Sequence, residues 1–286
     1  MIPILDDVAL DVPSTLDGAL RLLASDPAAQ PFAGGTDVMV LLDAGRLPSG
    51  RYVSLWNFDE LRGISRDERG AVTIGSLTTF SDIRESSVVA GHYPMLNAAA
   101  TQIGGVATQN RATIGGNIAN ASPAADSPPA LLAYDAEIAL LSLRGRRRLS
   151  YAAFHTGYKR TQLEPGEIIA SVVLPPREPG WRDGYRKVGT RRAQAISKVC
   201  LAASVRVEGG RVADIRIALG SVAPTVVRCR AAEDALRGAA IDDEAVGRAV
   251  DAVASDIAPI DDLRSTADYR RAVARNLISA FLLDRK

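Results

Sequence analysis

Two residue types that carry redox and metal chemistry are nearly missing from this chain, and each scarcity removes a class of function. Among 286 residues there are two cysteines, Cys200 and Cys229. A cysteine-ligated iron–sulfur cluster usually takes four thiolates, so this chain alone does not supply one, and a structural zinc site is as poorly provided for. Both thiols read as small buried hydrophobic groups. There are two histidines, His92 and His155, with no CxxC and no HExxH spacing, and neither is assigned a role. Redox chemistry in such a chain falls to an organic cofactor. Long apolar runs are absent as well: none reaches the roughly 18 residues needed to span a bilayer. The segment from Met1 to Asp7 lacks a basic region followed by an apolar core, so no secretory signal and a cytoplasmic protein are expected. Charge of one sign is also lacking. Lys and Arg number 34 against 33 Asp and Glu, a net charge of +1, which gives no global field for nucleic acid or a membrane surface. The locally basic run Arg144 to Arg148 reads as a solvated hairpin tip.

What is present is an ordinary globular composition, 47% hydrophobic and 23% charged, long enough for two or three domains. Ser14 is placed to cap a helix through Leu16, Ala19, Leu20 and Leu23. Pro31-Phe32-Ala33 enters a Gly34-Gly35 turn, the apolar stretch Val38 to Leu42 follows, and Tyr52 to Leu55 reads as a short strand. Further strands are expected between Arg69 and Ser76, over Ala136–Leu143 and over Ile168–Leu174, with a helix starting at Thr79 or Ser81. The prolines and glycine at 175, 176, 179 and 180 punctuate the chain, and the domain boundary is placed there. Beyond it, Ala202–Val207 and Val212–Ala218 alternate in polarity around Glu208-Gly209-Gly210-Arg211, a hairpin signal. Helical patterns cover Arg230–Arg237, Glu244–Ala254 and Ala267–Leu283. In the last of these, Val273, Leu277, Ala280 and Phe281 form the apolar face.

Between Ser86 and Ala125 the only formal charge is Arg111. Small residues with uncharged polar groups suit backbone packed closely around a ligand, or a tightly packed internal helix and loop. Within and before this stretch lie two glycine loops: Ala33-Gly34-Gly35-Thr36-Asp37, and Thr113-Ile114-Gly115-Gly116-Asn117 followed by Ser122-Pro123-Ala124-Ala125-Asp126. A diphosphate needs donors converging on a small volume. Glycine admits backbone N–H groups without a Cβ in the way, and successive N–H groups form an anion-binding nest. Thr36, Thr113 and Asn117 add side-chain donors. Neither loop has the G-x-G-x-x-G or P-loop pattern, which disfavours nicotinamide-type Rossmann binding and nucleotide hydrolysis. The residues alone leave ordinary turns and a ligand site both open.

Taken together these loops closely resemble the flavin-binding signatures of the FAD (medium) subunits of molybdenum hydroxylases, the family of xanthine dehydrogenase and aerobic carbon monoxide dehydrogenase. The segments Phe154 to Thr161, Pro165 to Ile169, Tyr185 to Arg192 and Asp262 to Arg271 agree too, so the resemblance covers nearly the whole chain. It implies an α+β fold: a two-lobed FAD-binding domain of the vanillyl-alcohol-oxidase-like type over residues 1–177, with lobes of about 1–58 and 59–177. A C-terminal α+β domain with a small antiparallel sheet and helices is implied over 178–286.

The resemblance also implies roles for particular positions. Ala33, Gly34, Gly35, Thr36 and Asp37 cradle the diphosphate, and Thr113, Gly116 and Asn117 close on it from the other lobe. Asp126 falls at the ribose and adenosine portion, accepting from a hydroxyl. Ile103 and Gly104 lie near the ring system, with Thr108 among the cofactor-binding positions. Ile169 packs on the isoalloxazine. Lys187 stands at the pyrimidine side, where a cation stabilises the negative charge of the reduced ring. Tyr158 is a candidate for the ring's open face. No residue is expected to be catalytic and no metal is expected on this chain. The expected partners are a large molybdopterin subunit and a small subunit with two [2Fe–2S] clusters, as a dimer of heterotrimers, with electrons leaving FAD to NAD or a quinone. The low cysteine count argues against the 4-hydroxybenzoyl-CoA reductase branch, whose medium subunit carries an extra cluster. Two other functions are weighed: a stand-alone FAD-dependent oxidase, for which a base or a histidine/tyrosine cluster near the flavin is wanting, and a scaffold that has lost FAD, against which the glycine loops speak.

Overall fold

The structure, a computed structural model, describes residues 7–191 and 194–284. The leader reading of the first residues rests almost wholly on 1–6, outside the described residues, as does Arg192 of the Tyr185–Arg192 segment. The first lobe holds β1 (Val8–Asp11), α1 (Leu16–Ser25), β2 (Gln30–Phe32), α2 (Val38–Asp43) and β3 (Gly50–Ser54). Its three strands are parallel in the order β1-β3-β2. Helix α1 starts at Thr15, not Ser14: the Thr15 side chain accepts from Gly18 N.

The second lobe opens with β4 (Ile64–Arg66) and β5 (Val72–Gly75). Six short helices follow: α3 (Phe80–Glu85), α4 (Ser87–His92), α5 (Pro94–Gln102), α6 (Val106–Gln109), α7 (Ile114–Ala119) and α8 (Pro128–Ala133). The lobe ends with β6 (Glu137–Ser142), β7 (Gly145–Ser150), α9 (Tyr151–Phe154), the small hairpin β8 (His155–Gly157) and β9 (Arg160–Thr161), and β10 (Ile168–Leu174). The main sheet is antiparallel, β4-β5-β10-β6-β7. Thr79 caps α3 with a reciprocal capping box to Asp82. The arginines of the β6–β7 hairpin are paired: Arg144 with Glu164 at 2.8 Å, Arg147 with Glu167 at 2.7 Å, and Arg148 with Glu137 at 3.8 Å.

Strand β10 is the wall between the lobes. Successive side chains of a strand face opposite ways, and here Ile168 and Ala170 enter the core of the first lobe while Ile169 enters that of the second. A bulge between Ile169 and Ser171 then shifts the register. Such an extra residue inverts the phase, so Val172 and Leu174 join Ile169 in the second core. This is why the strand reads as a nearly continuous apolar run, interrupted by Ser171 at the bulge, rather than an alternating one.

The C-terminal domain is a four-stranded antiparallel sheet of β11 (Trp181–Val188), β12 (Val199–Glu208), β13 (Arg211–Gly220) and β14 (Val227–Arg228). Helices α10 (Arg230–Asp234), α11 (Asp243–Asp256) and α12 (Ala267–Leu283) complete it. One sheet face carries Ala202 and Ala218, and these small side chains let α8 sit close against the sheet. The other face packs on the three helices. In α12 the fully buried residues are Arg270, Ala274, Ile278, Phe281 and Leu282, a face turned from the expected one. Arg270 causes this: its guanidinium donates to the Lys198 and Ser221 carbonyls at 3.0 and 2.8 Å and to Asp262 Oδ1 at 2.7 Å. Hydrophobic periodicity does not place an arginine inside. Among the described residues no helix is long and apolar enough to cross a membrane. Cys200 and Cys229 are free and buried.

A polar knot joins this domain to the second lobe. Arg177 grips Asp183 through two bonds of 2.6 and 2.8 Å and donates to Ser204 Oγ at 2.8 Å. Tyr134 donates to Asp183 at 3.0 Å and accepts from Met95 N at 2.9 Å. Side-chain exposure of the Arg177–Asp183 pair is 15% and 9%. Removing one partner of a pair this dry leaves the other charge uncompensated. Arg177→Met is expected to lower the unfolding free energy by about 3 kcal/mol, measured by urea denaturation; a value within about 0.5 kcal/mol of wild type, as at ordinary surface positions, would show that the seam does not depend on this pair.

Candidate functional site

A cleft of about 1160 Å³ opens where the three parts meet. Residues of both lobes and of the 194–196 segment line it. A drug-sized ligand site runs roughly 300–1,000 Å³, so this cleft suits a larger molecule.

The first glycine turn forms one wall. Gly35 has φ +76°, in the left-handed region that favours glycine. Gly34 is constrained from outside: a Cβ built there lies 1.7 Å from the Arg111 carbonyl oxygen of the other lobe. The backbone N–H groups of Gly34, Gly35, Thr36 and Asp37 find no acceptor among the described residues. Four successive unused donors ahead of a helix are the nest that an anionic ligand needs.

The second glycine loop faces the same cleft but works differently. Its N–H groups are already taken. Ile114 N donates to Thr78 O at 3.1 Å, Gly115 N to Ser76 O at 2.8 Å, Gly116 N to Thr113 Oγ1 at 3.1 Å and Asn117 N to Thr113 O at 3.0 Å. This corrects the expectation of a second backbone nest: the bonds that pin α7 to the β5–α3 turn use up its donors. The loop offers side chains instead. Ser127 donates to Asn117 Oδ1 at 2.7 Å, which leaves the Asn117 amide N–H groups free. The lobes are tied at this point, since Asn120 Nδ2 donates to Asp37 Oδ1 at 3.2 Å and accepts at Oδ1 from Lys159. Behind it, Arg111 stacks on Trp56 at 3.8 Å and Arg62 stacks on the same ring at 4.4 Å.

Of the expected site residues, Ala33, Gly34, Gly35, Thr36, Asp37, Ile103, Gly104, Thr108, Thr113, Gly116, Asn117, Asp126 and Ile169 all line this cleft. Lys187 stands behind the lining. Its Nζ donates to Asp126 Oδ2 at 2.6 Å and to Gln102 O at 3.0 Å, with side-chain exposures of 7% for Lys187 and 10% for Asp126. The two were expected at opposite ends of the cofactor; as one ion pair they stand at one place. Asp126 Oδ1 is buried with no partner. Burial pushes the Asp126 carboxyl up to about 6, against the pull of Lys187. Tyr158 is 65% exposed at the turn of the β8–β9 hairpin and does not line the cleft, although the neighbouring Lys159 does. Ser76, Asn120, Lys159 and Gln194 also line it and were not singled out. Lys159 lies within the Phe154–Thr161 segment of the resemblance; no motif marks the other three, and each meets the rest only through folding. His155 Nε2 donates to the Ile118 carbonyl, 2.9 Å away, and burial lowers the pKa of the ring; it is a structural group under α7.

A two-lobed cleft with a free backbone nest on one side, a pinned polar helix on the other and a buried cation beneath defines a nucleotide-cofactor-binding oxidoreductase component. Comparison with known proteins agrees. The model of the FAD binding domain in molybdopterin dehydrogenase matches residues 7–177, and that of the CO dehydrogenase flavoprotein C-terminal domain matches 184–284. The xanthine dehydrogenase FAD-binding subunit of Escherichia coli is 38% identical over 259 residues, 90% of this chain and 88% of its own. The carbon monoxide dehydrogenase medium chain of Hydrogenophaga pseudoflava is 34% identical over 263 residues, 92% of this chain and 90% of its own. In structure, carbon monoxide dehydrogenase from Hydrogenophaga pseudoflava superposes with a TM-score of 0.92 at 33% identity, covering 98% of this chain and 96% of that one. Quinoline 2-oxidoreductase from Pseudomonas putida gives 0.89 at 27%, covering 99% and 97%. The chain belongs to the FAD-binding medium subunits of the xanthine dehydrogenase and carbon monoxide dehydrogenase family of molybdenum hydroxylases. It is the FAD component of an oxidoreductase.

The residues present fit FAD. The free N–H row at 34–37 matches a diphosphate. The buried, unpartnered oxygens of Asp126 and Ser76 belong to cleft-lining residues, and buried polar groups are rarely left so without a ligand or water to satisfy them. Two measurements follow. Gly34→Ala forces a methyl onto a backbone oxygen, which only parting of the lobes relieves. It is expected to destabilise the chain by about 2–3 kcal/mol and to abolish FAD uptake, read from the visible absorption of reconstituted protein; normal uptake would show that the lobes need not touch there. The second concerns Asp126, whose folded pKa of about 6 lies above the ordinary 3.8. Between these values the native chain holds a proton that the unfolded chain has released, so its contribution is complete below about pH 4 and is lost as pH rises through 6. In urea titrations of FAD-free protein, the stability of wild type relative to Asp126→Asn is expected to fall from pH 4 to pH 7; a constant difference would show that Asp126 is ionised throughout.

Proposed function

We propose that this chain is the electron relay of a heteromeric molybdenum hydroxylase, carrying FAD between [2Fe–2S] clusters on a small partner subunit and an external acceptor, NAD or a quinone. Bound FAD supplies a centre that accepts electrons singly or in pairs. The chain's own residues hold it and set its surroundings. The observation that carries this reading is the meeting of both glycine loops in one cleft, with the free N–H row of Gly34 to Asp37 on one side and Thr113, Gly116 and Asn117 on the other.

In this reading the 34–37 backbone takes the diphosphate through its unused donors, and Thr36, Thr113 and Asn117 add side-chain donors. Ile103, Gly104, Thr108 and Ile169 form the wall for the ring system. Asp126 offers its unpartnered oxygen to a cofactor donor, and Lys187 supplies positive charge next to it. A buried cation favours a cofactor state that bears negative charge. This geometry provides no nucleophile with an adjacent base, and among the described residues no cluster of three or more His, Cys, Asp or Glu is placed to hold a metal. Oxidation of an organic substrate is therefore assigned to a large molybdopterin subunit, with the complex a cytoplasmic dimer of heterotrimers.

The full chain purified alone with FAD is expected to show the flavin absorption bands and to keep them when organic substrates are added. It should bleach when a reduced [2Fe–2S] partner is added. Bleaching by an organic substrate without any partner would instead establish a self-sufficient oxidase.

A further inference from the structure

Strand β11 belongs to the C-terminal domain, yet two of its side chains reach the cleft wall of the second lobe. Tyr185 and Lys187 are two residues apart, so they share one face of the strand. Lys187 holds the carboxylate of Asp126 at 2.6 Å. Tyr185 OH donates to the main-chain carbonyl of the same residue at 3.0 Å. Asp126 is thus held at both its side chain and its backbone by one strand of another domain. Fully buried Cys200 pairs with Lys187 in the β11–β12 register and so lies on the same sheet face. Burial pushes the Cys200 thiol up to about 12, so it stays neutral. The domain seam also has its own knot at Arg177, Asp183 and Tyr134, away from the cleft lining.

We infer that Tyr185 is a positioning residue of the cofactor site: its hydroxyl fixes the main chain at Asp126 so that Oδ2 stays on Lys187 and Oδ1 is presented to the cleft. This rests on the reading of the cleft as the FAD site. It gives the C-terminal domain a direct part in that site through two side chains of one strand. Without the hydroxyl, the 126 carbonyl loses its anchor, the carboxylate swings more freely, and the Lys187 charge is less fully cancelled. Less cancelled positive charge favours the reduced, more negative cofactor.

The test uses the full chain reconstituted with FAD and two readouts that a loss of fold does not imitate: the FAD dissociation constant and the flavin midpoint potential. Tyr185→Phe is expected to weaken FAD binding about five-fold, the weight of one hydrogen bond, and to move the potential to a more positive value. Tyr134→Phe is the structural control. Its hydroxyl serves the domain seam and does not line the cleft, so it should lower Tm while both readouts keep their wild-type values. Cys200→Ala leaves the phenol in place but opens space beside Lys187 on the same sheet face, and should move both readouts in the same direction as Tyr185→Phe, by less; it also serves if Tyr185→Phe does not fold. Wild-type values of both readouts in Tyr185→Phe, or in Cys200→Ala where that variant has to stand in, overturn the inference, as do equal shifts in Tyr134→Phe. A wild-type chain that takes up no FAD overturns the inference together with the reading beneath it.

Discussion

The contact between Gly34 and the Arg111 carbonyl sets the geometry of the whole site. A backbone oxygen lies where any other residue would carry its Cβ, so the first lobe approaches the second by main chain alone. That approach puts the unused N–H row at 34–37 across a narrow cleft from α7. Side-chain packing would have kept the loops several ångströms further apart. The price of so close an approach is conformational: glycine is the residue that loses most freedom on folding. The Trp56 sandwich between Arg62 and Arg111 and the Asp37–Asn120–Lys159 link offset it on either side.

The two walls of the cleft then divide the labour. The 34–37 turn keeps its backbone donors for a ligand because little in its own lobe competes for them. In the 113–117 loop the same groups are spent on holding α7 to the β5–α3 turn, so recognition passes to side chains. A glycine loop can thus serve a site either by offering its amides or by letting a helix pack closely. Only the hydrogen-bond partners tell the two apart.

Charge is handled by pairing across boundaries. Arg177 with Asp183, Lys187 with Asp126, and Arg228 with Asp135 each join the second lobe to the C-terminal domain. A buried unpaired charge is costly, so these pairs make domain placement specific: a displaced C-terminal sheet leaves several charges stranded at once. At Asp126 the pairing is incomplete, with one oxygen bound and one not. That is the one member of the set that lines the cleft.

Much of this was legible in the chain itself. The local signals held because they depend on neighbours in sequence: the hairpin around Gly209-Gly210, the helix start at Thr79, the strand at Ile168–Leu174 and the helix at Ala267–Leu283. The two glycine loops left turns and a ligand site both open by themselves, and pointed to FAD through the family they resemble. Three things depended on tertiary structure. Arg270 turns the buried face of α12 because its acceptors come from loops near 198 and 221. The second loop is no amide nest because Thr78 and Ser76, some 40 residues earlier, take the Ile114 and Gly115 donors, and Thr113 takes those of Gly116 and Asn117. Asp126 and Lys187, 61 residues apart, form one group, since a strand of the C-terminal domain lies under the second lobe. Sequence determines which residues are able to donate, accept or pack; which partner each meets is set by long-range packing, because a hydrogen bond or ion pair depends on distances that neighbours along the chain do not control.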